Sequence, residues 1–290
     1  MTKGSNHQAA FALLCAASLL VGWRPLLRTF TLSLRDDQYT HILLILPIVA
    51  ALIFLERQPL RTMVAMSVRI GGVLLAFAVS IAGAALLWPL SLPSDVLLSI
   101  AMFALVLSWV AAFVLCFGLR ASRRVLFPLC FLFALVPLPQ AVLNAIVALL
   151  QLGSAWTAHG LFAAFGIPVA QDGVLVAIPG LTLQVAQECS SIRSSSILLV
   201  IGIVSAQLLL RSPWRKALVI VVAVPLSVAK NGLRIFTIAM LGTRVDPGYL
   251  AGRFHREGGI VFFAIALAAV FLLLWSLRRG EDAPASTIGP

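Results

Sequence analysis

Apolar stretches long enough to cross a bilayer recur along almost the whole of this sequence, and no other feature constrains its fold as strongly. A hydrocarbon core about 30 Å thick takes about 20 apolar residues of helix to cross. Inside it, every backbone N–H and C=O has to find its partner within the protein, which a helix provides along its own length. Eight spanning helices are expected, at about 9–27, 41–55, 70–88, 96–118, 126–138, 194–210, 217–242 and 258–277. Two of these, 41–55 and 126–138, are short. The first run meets Trp23-Arg24-Pro25 rather than a small-residue cleavage site, and so reads as a retained span. The composition agrees: 61% of residues are hydrophobic and 11% charged, against about 45–50% and about 25% in soluble domains.

The net charge of +11 would elsewhere point to a nucleic-acid partner. Here the basic residues form short clusters between apolar runs, where membrane topology puts them, so no nucleic-acid partner is expected. Arg57, Arg61 and Arg69; Arg120, Arg123 and Arg124; Arg211, Arg215 and Lys216; and Arg278 with Arg279 alternate correctly with the eight spans. All then face the cytoplasm, together with Lys3 and both termini. The loop 24–40, with Arg24, Arg28 and Arg35, departs from this pattern.

The interval 139–193 does not fit a simple span. Residues 141–165 are helix-like but interrupted by Gln151, Gly153, Ser154 and His159. Because the parity of the spans keeps both ends of this segment outside, an interfacial or re-entrant helix is expected. Residues 166–188 then alternate apolar and β-branched positions around Pro179-Gly180, which predicts a small extracytoplasmic β-hairpin delivering the chain to Cys189. The fold class expected is therefore an all-α polytopic membrane protein in the plasma membrane. It forms a single integral membrane domain over 1–279, with 280–290 as a disordered cytoplasmic tail.

Three elements carry residues capable of chemistry. Cys15, Cys116 and Cys130 lie inside apolar runs, where a thiol serves as a small hydrophobe, and neither a CxxC nor a Cys/His metal spacing occurs. Cys189 differs, because Glu188-Cys189-Ser190-Ser191-Ile192-Arg193 sits where the span 194–210 begins. A helix N-terminus and a nearby arginine both favour thiolate. The span 217–242 carries Lys230, Asn231 and Arg234 on one helical face. Charges inside a span are costly and usually line a cavity or a site. If this helix instead ended early, the three would simply meet water. His255, in Arg253-Phe254-His255-Arg256-Glu257-Gly258, falls just before the last span and close in depth to Cys189. A thiol, an imidazole and a guanidinium in one leaflet are the parts of a cysteine acyl-transfer site.

The blocks Glu188-Cys189-Ser190-Ser191-Ile192-Arg193-Ser194, Asn231-Gly232-Leu233-Arg234-Ile235 and Phe254-His255-x-x-Gly258 resemble, in order and spacing, the three signature blocks of the exosortase/archaeosortase family. The resemblance is strongest over 100–277. It implies a membrane cysteine peptidase or transpeptidase that cleaves C-terminal sorting signals, each made of a recognition motif, one transmembrane helix and a basic cluster. Its partners would be membrane-anchored proteins bearing such signals. Carried onto this sequence, it makes Cys189 the nucleophile, Arg234 the essential arginine and His255 the acid/base. Arg193, Glu188, Asn231 and Lys230 would support the site or bind substrate, with no metal and no cofactor. Ser191 stands where the family usually has Gly, which bears on the subfamily and its sorting motif. Two other classes fit parts of the sequence. A transporter or channel for an anionic solute accounts for Lys230 and Arg234, and a non-catalytic subunit of an envelope-polymer assembly needs none of these residues.

Overall fold

The computed structural model of the chain describes residues 3–62, 65–87, 92–185, 192–251 and 259–282. Among them, eight helices are long and apolar enough to cross a membrane, and a small three-stranded antiparallel sheet accompanies them. The protein is thus an all-α polytopic membrane protein. It forms two compact units, Met1–Leu143 and Asn144–Pro290.

In the first unit, α1 (Lys3–Arg35) and α4 (Val68–Leu87) flank α5 (Ser94–Arg124), the most buried of the eight long helices among the described residues. Here α5 bends at Gly118, whose φ is 82°. A Cβ there would lie 1.7 Å from the Ala65 carbonyl oxygen, so the position admits only glycine. The close approach lets Ala65 and Ser67 donate backbone N–H groups to Phe117 and Leu115. The helix α2 (Ile42–Leu55), which with the 3₁₀ turn Asp37–Tyr39 before it makes up the crossing stretch Asp37–Leu55, and α3 (Arg57–Thr62) also belong to this unit, with Glu56 between them paired to Arg124 at 2.7 Å.

The set of eight differs from the sequence expectation in one member. Residues 126–138 do not form a spanning helix: α6 (Leu126–Phe131) and a 3₁₀ segment (Leu132–Leu135) together make only 10 residues. The chain nevertheless returns to the start of α5, because Pro137 accepts from Ser99 at 2.7 Å and the Gln140 N–H donates to Asp95. Tyr39 adds a bond to the Leu138 carbonyl. Short helical and extended pieces thus replace the continuous helix expected there. In its place α7 (Gln140–Ala164), read from sequence as interfacial or re-entrant, is one unbroken helix of 25 residues, long and apolar enough to cross. Of the three mid-span cysteines only Cys116 is buried; Cys15 is half-buried and Cys130 is exposed, on an apolar helix.

The second unit begins within α7 and takes in most of that helix. Gly166, at φ 69°, closes a Schellman cap: its N–H donates to Ala163, and that of Ile167 to Phe162. Three strands follow, β1 (Ala170–Asp172), β2 (Leu175–Ile178) and β3 (Leu181–Gln184), in spatial order β1-β2-β3. The expected hairpin is β2–β3, turned at Pro179-Gly180 with Gly180 at φ 82°. Proline followed by a positive-φ glycine is the chemistry of a type II turn. The strand β1 is additional, paired to β2 through a two-residue loop with Gly173 at φ 56°. The sheet packs through Val176, Ile178 and Val185 on Ala155, Ala158 and Phe162 of α7 and on Ala239.

Ala239 belongs to α9 (Pro213–Arg244), which also packs with α8 (Ile192–Leu209) and α11 (Gly259–Asp282) around Leu198, Val219, Ala266 and Val270. A one-turn helix, α10 (Gly248–Ala251), follows α9. The last helix runs three residues into the segment expected to be a tail. There Glu281 accepts the backbone N–H groups of Arg211 and Ser212 at 2.9 and 2.8 Å, while Arg215 bonds back to the Leu277 and Gly280 carbonyls. The rest of the expected tail, 283–290, lies outside the described residues.

Glycine decides how closely α7 and α9 approach. A Cβ on Gly232 would come within 2.4 Å of the Thr157 Cβ and 3.1 Å of the Ala158 backbone N, whereas one on Gly160 would meet nothing within 4 Å. Gly232→Ala should therefore destabilise the protein by about 1–3 kcal/mol through overpacking. Gly160→Ala should be neutral or stabilising by about 0.5–1 kcal/mol, as in any open helix position. Thermal unfolding of both variants in detergent checks the contrast.

Candidate functional site

The site grows from one face of α9. Ser227, Lys230, Asn231 and Arg234 follow one another at helical spacing, and this helix runs unbroken to Arg244. Lys230 is 6% exposed and Asn231 1%, so the alternative of an early helix end with these residues in water does not hold. Such a stripe inside an apolar helix needs polar partners on its neighbours, and α7 and α8 supply them.

On the α8 side, Lys230 Nζ donates to Ser194 Oγ, and the hydroxyls of Ser195 and Ser227 share a hydrogen bond. The first turn of α8, five residues beyond Cys189 in the chain, is thereby latched to α9 at two points one helical turn apart. On the α7 side, Ser154 Oγ donates to the Leu150 carbonyl at 2.7 Å and accepts from Asn231 Nδ2 at 3.0 Å. With the serine proton committed to Leu150, the amide orientation follows: nitrogen toward Ser154, oxygen away. That oxygen is buried and has no hydrogen-bond partner among the described residues. One turn back on α7, Gln151 Nε2 donates to the Val185 carbonyl at 2.8 Å, holding the chain where β3 ends.

Arg234, half-buried, reaches the start of α11. A Cβ on Gly259 would lie 3.9 Å from the Arg234 Cζ, so the guanidinium rests against the helix that follows His255. Arg193 is exposed in the first turn of α8. Glu188, Cys189 and His255 lie outside the described residues. Of the residues singled out from sequence, Lys230, Asn231 and Arg234 thus share one face, and their contacts reach the elements flanking both other blocks. Lys230 and Arg234 are two cations one turn apart, a repulsive spacing that becomes more so away from water. Such a pair favours an anion beside it.

The sequence reading missed Ser154, Ser194, Ser195, Ser227 and, as a contact to the strand, Gln151. Ser227 was detectable, because it extends the Lys230–Arg234 stripe by one turn at i−3. The others have no signal in one helix alone.

The Lys230–Ser194 bond involves a charged donor in a poorly solvated place, where such bonds are worth about 1.5–3 kcal/mol. A double-mutant cycle of Lys230→Ala and Ser194→Ala, read by unfolding in detergent, should give a coupling of at least about 1 kcal/mol. Additive effects would mean that the pair contributes nothing beyond its separate packing.

No curated protein and no solved structure gives a match to this chain. A family model described as transmembrane exosortase (Exosortase_EpsH) matches residues 31–272, most of the chain, including all three sequence blocks. This protein belongs to the transmembrane exosortase family.

Proposed function

We propose that the protein is a membrane-embedded cysteine transpeptidase or peptidase that cleaves C-terminal sorting signals from exported, membrane-anchored proteins. One observation carries the reading beyond family membership. Ser194, five residues after Cys189, is bonded to Lys230, and Gly259, four residues after His255, lies against Arg234. One face of α9 therefore gathers the flanks of the other two blocks, although those blocks are about 60 residues apart in sequence.

The chemistry is acyl transfer in two steps. The Cys189 thiolate attacks the scissile peptide carbonyl, and negative charge develops on its oxygen, where the Arg234 guanidinium offers planar donors. The C–N bond breaks as His255 gives its proton to the leaving amine, releasing the signal helix and leaving a thioester on Cys189. An acceptor, water or a surface amine, then loses a proton to His255, attacks the thioester and returns the thiolate. Lys230 adds positive potential one turn from Arg234, which favours thiolate and oxyanion alike. In this reading Glu188, Arg193 and Asn231 orient the cysteine segment or the substrate. In the orientation set by the basic clusters, the site faces the outer side of the plasma membrane and both termini face the cytoplasm.

The test is a reporter ending in a recognition motif, one transmembrane helix and a basic cluster, copied from an exported protein of the same cell. Cys189→Ala should abolish its processing, while Cys15→Ala, Cys116→Ala and Cys130→Ala should preserve it. Processing by a normally expressed Cys189→Ala protein would end the cysteine mechanism and return the buried charges to an anion pathway. His255→Ala should slow both acylation and deacylation by about 10²–10⁴-fold. Arg234→Lys should lose most activity, because an ammonium cannot copy the guanidinium fork; near-normal activity would reduce Arg234 to an electrostatic element.

Sidedness has its own measurement. Single cysteines at Arg123 and Arg215 should resist a membrane-impermeant thiol reagent in intact cells, and one at the exposed Asp172 should react. Labelling at position 123 in sealed cells would invert the orientation.

A further inference from the structure

The sheet has two open edges, and they are not alike. The outer strand β1 is three residues long and carries Asp172, a charge of the kind that blunts an edge against pairing. The other edge, β3, reads Leu181-Thr182-Leu183-Gln184, with no charge, proline or bulge. The register fixes which of its backbone groups are in use. Ile178 and Leu181 flank the two-residue turn, Val176 faces Leu183, and the Val185 N–H donates to Val174 at 3.0 Å. Antiparallel pairs alternate between bonded and non-bonded, so Leu181, Leu183 and Val185 spend their backbone groups on the β2 side. Thr182 and Gln184 therefore direct their N–H and C=O groups outward, and both residues are exposed. Among the described residues no fourth strand pairs there.

This edge is rigidly held. Val176, Ile178 and Val185 are buried against α7 and α9, and Gln151 grips the Val185 carbonyl. It is also close in the chain to the proposed nucleophile: Cys189 is four residues beyond Val185 in the sequence, at most about 14 Å of chain.

We propose that the β3 edge is the docking strand for the substrate's recognition segment, which adds to the sheet as an extended fourth strand. The inference rests on the reading of the protein as a sorting-signal peptidase and says how that substrate is held. Thr182 and Gln184 bond the substrate main chain. Alternate substrate side chains fall beside Leu181 and Leu183 on one face and beside Thr182 and Gln184 on the other. An extended backbone also presents its peptide carbonyl to a nucleophile more openly than a helix, whose carbonyls are internally bonded. Specificity then divides: the sheet edge demands a strand-forming segment, and the α9 cations demand negative charge at the reacting carbonyl.

Proline at 182 or 184 deletes one outward N–H and leaves every β2 bond in place. Thr182→Pro and Gln184→Pro should each lower kcat/KM for the reporter about two- to tenfold, mainly through KM, which is the range for one lost hydrogen bond. The iodoacetamide alkylation rate of Cys189 and the melting temperature should stay at wild-type values. Thr182→Val, which keeps the backbone N–H, should lose much less than Thr182→Pro. In parallel, a photo-reactive residue at position 182 of the Cys189→Ala protein should cross-link to the recognition motif of the uncleaved reporter. Cleavage by wild type without that cross-link, or unchanged kinetics in both proline variants, overturns the docking strand alone. A cross-link to a second copy of the chain, or to its own residues 252–258, overturns it equally. Cross-linking of the reporter when the wild-type protein never cleaves it upholds the docking strand and sinks the proposed chemistry. Neither cleavage nor cross-linking removes both.

Discussion

A lipid interior supplies no hydrogen-bonding partners, so whatever polar atoms a helix carries into it must be met by another part of the protein. In α9 this demand is concentrated on one face, and the second unit is organised around meeting it. Ser194 and Ser195 bring α8 to Lys230 and Ser227, while Ser154 brings α7 to Asn231. Gly232 and Gly153 leave out side chains that would hold α7 and α9 apart. An all-apolar stripe would pack the same helices without the cost of carrying an ammonium and a guanidinium below the surface. Two cations one turn apart favour something negative beside them, which is the part that the proposed acyl transfer gives them.

The parts legible in the sequence were those set by long-range averages or by rigid local chemistry. Continuous apolar runs gave seven of the eight long helices, the Pro179-Gly180 turn marked the β2–β3 hairpin, and the charged face of α9 stood out against its apolar surroundings. What escaped depended on partners. Gln151, Gly153 and Ser154 read as interruptions of a helix. In the fold, Ser154 returns its proton to Leu150 four residues back, Gln151 reaches a strand carbonyl, and Gly153 makes room for Val228. The features that weakened the helical pattern are therefore its contacts. The strand β1 escaped for the opposite reason: Ala170-Gln171-Asp172 has no apolar alternation, and it exists because Gly173 turns it onto β2.

The crossing expected at 126–138 failed on helix length alone. A reading of apolar runs cannot anticipate that a 3₁₀ turn and an extended stretch replace a continuous helix there. Backbone of that kind survives only where protein groups satisfy it, and Ser99, Asp95 and Tyr39 do so here.

The last helix is fastened near both of its ends. At one, Glu281 and Arg215 lock it to the turn between α8 and α9; at the other, Gly259 lies against Arg234. Between these fixed points α11 acts as a gauge block whose residue count sets an angular phase. Adding or removing one residue would advance one end by about 1.5 Å and rotate it by about 100° relative to the other. Substitutions on its lipid-facing side leave that phase untouched. Evolution of this helix is thus free in sequence over much of its surface but held in length, since any change in length would turn Gly259 away from Arg234.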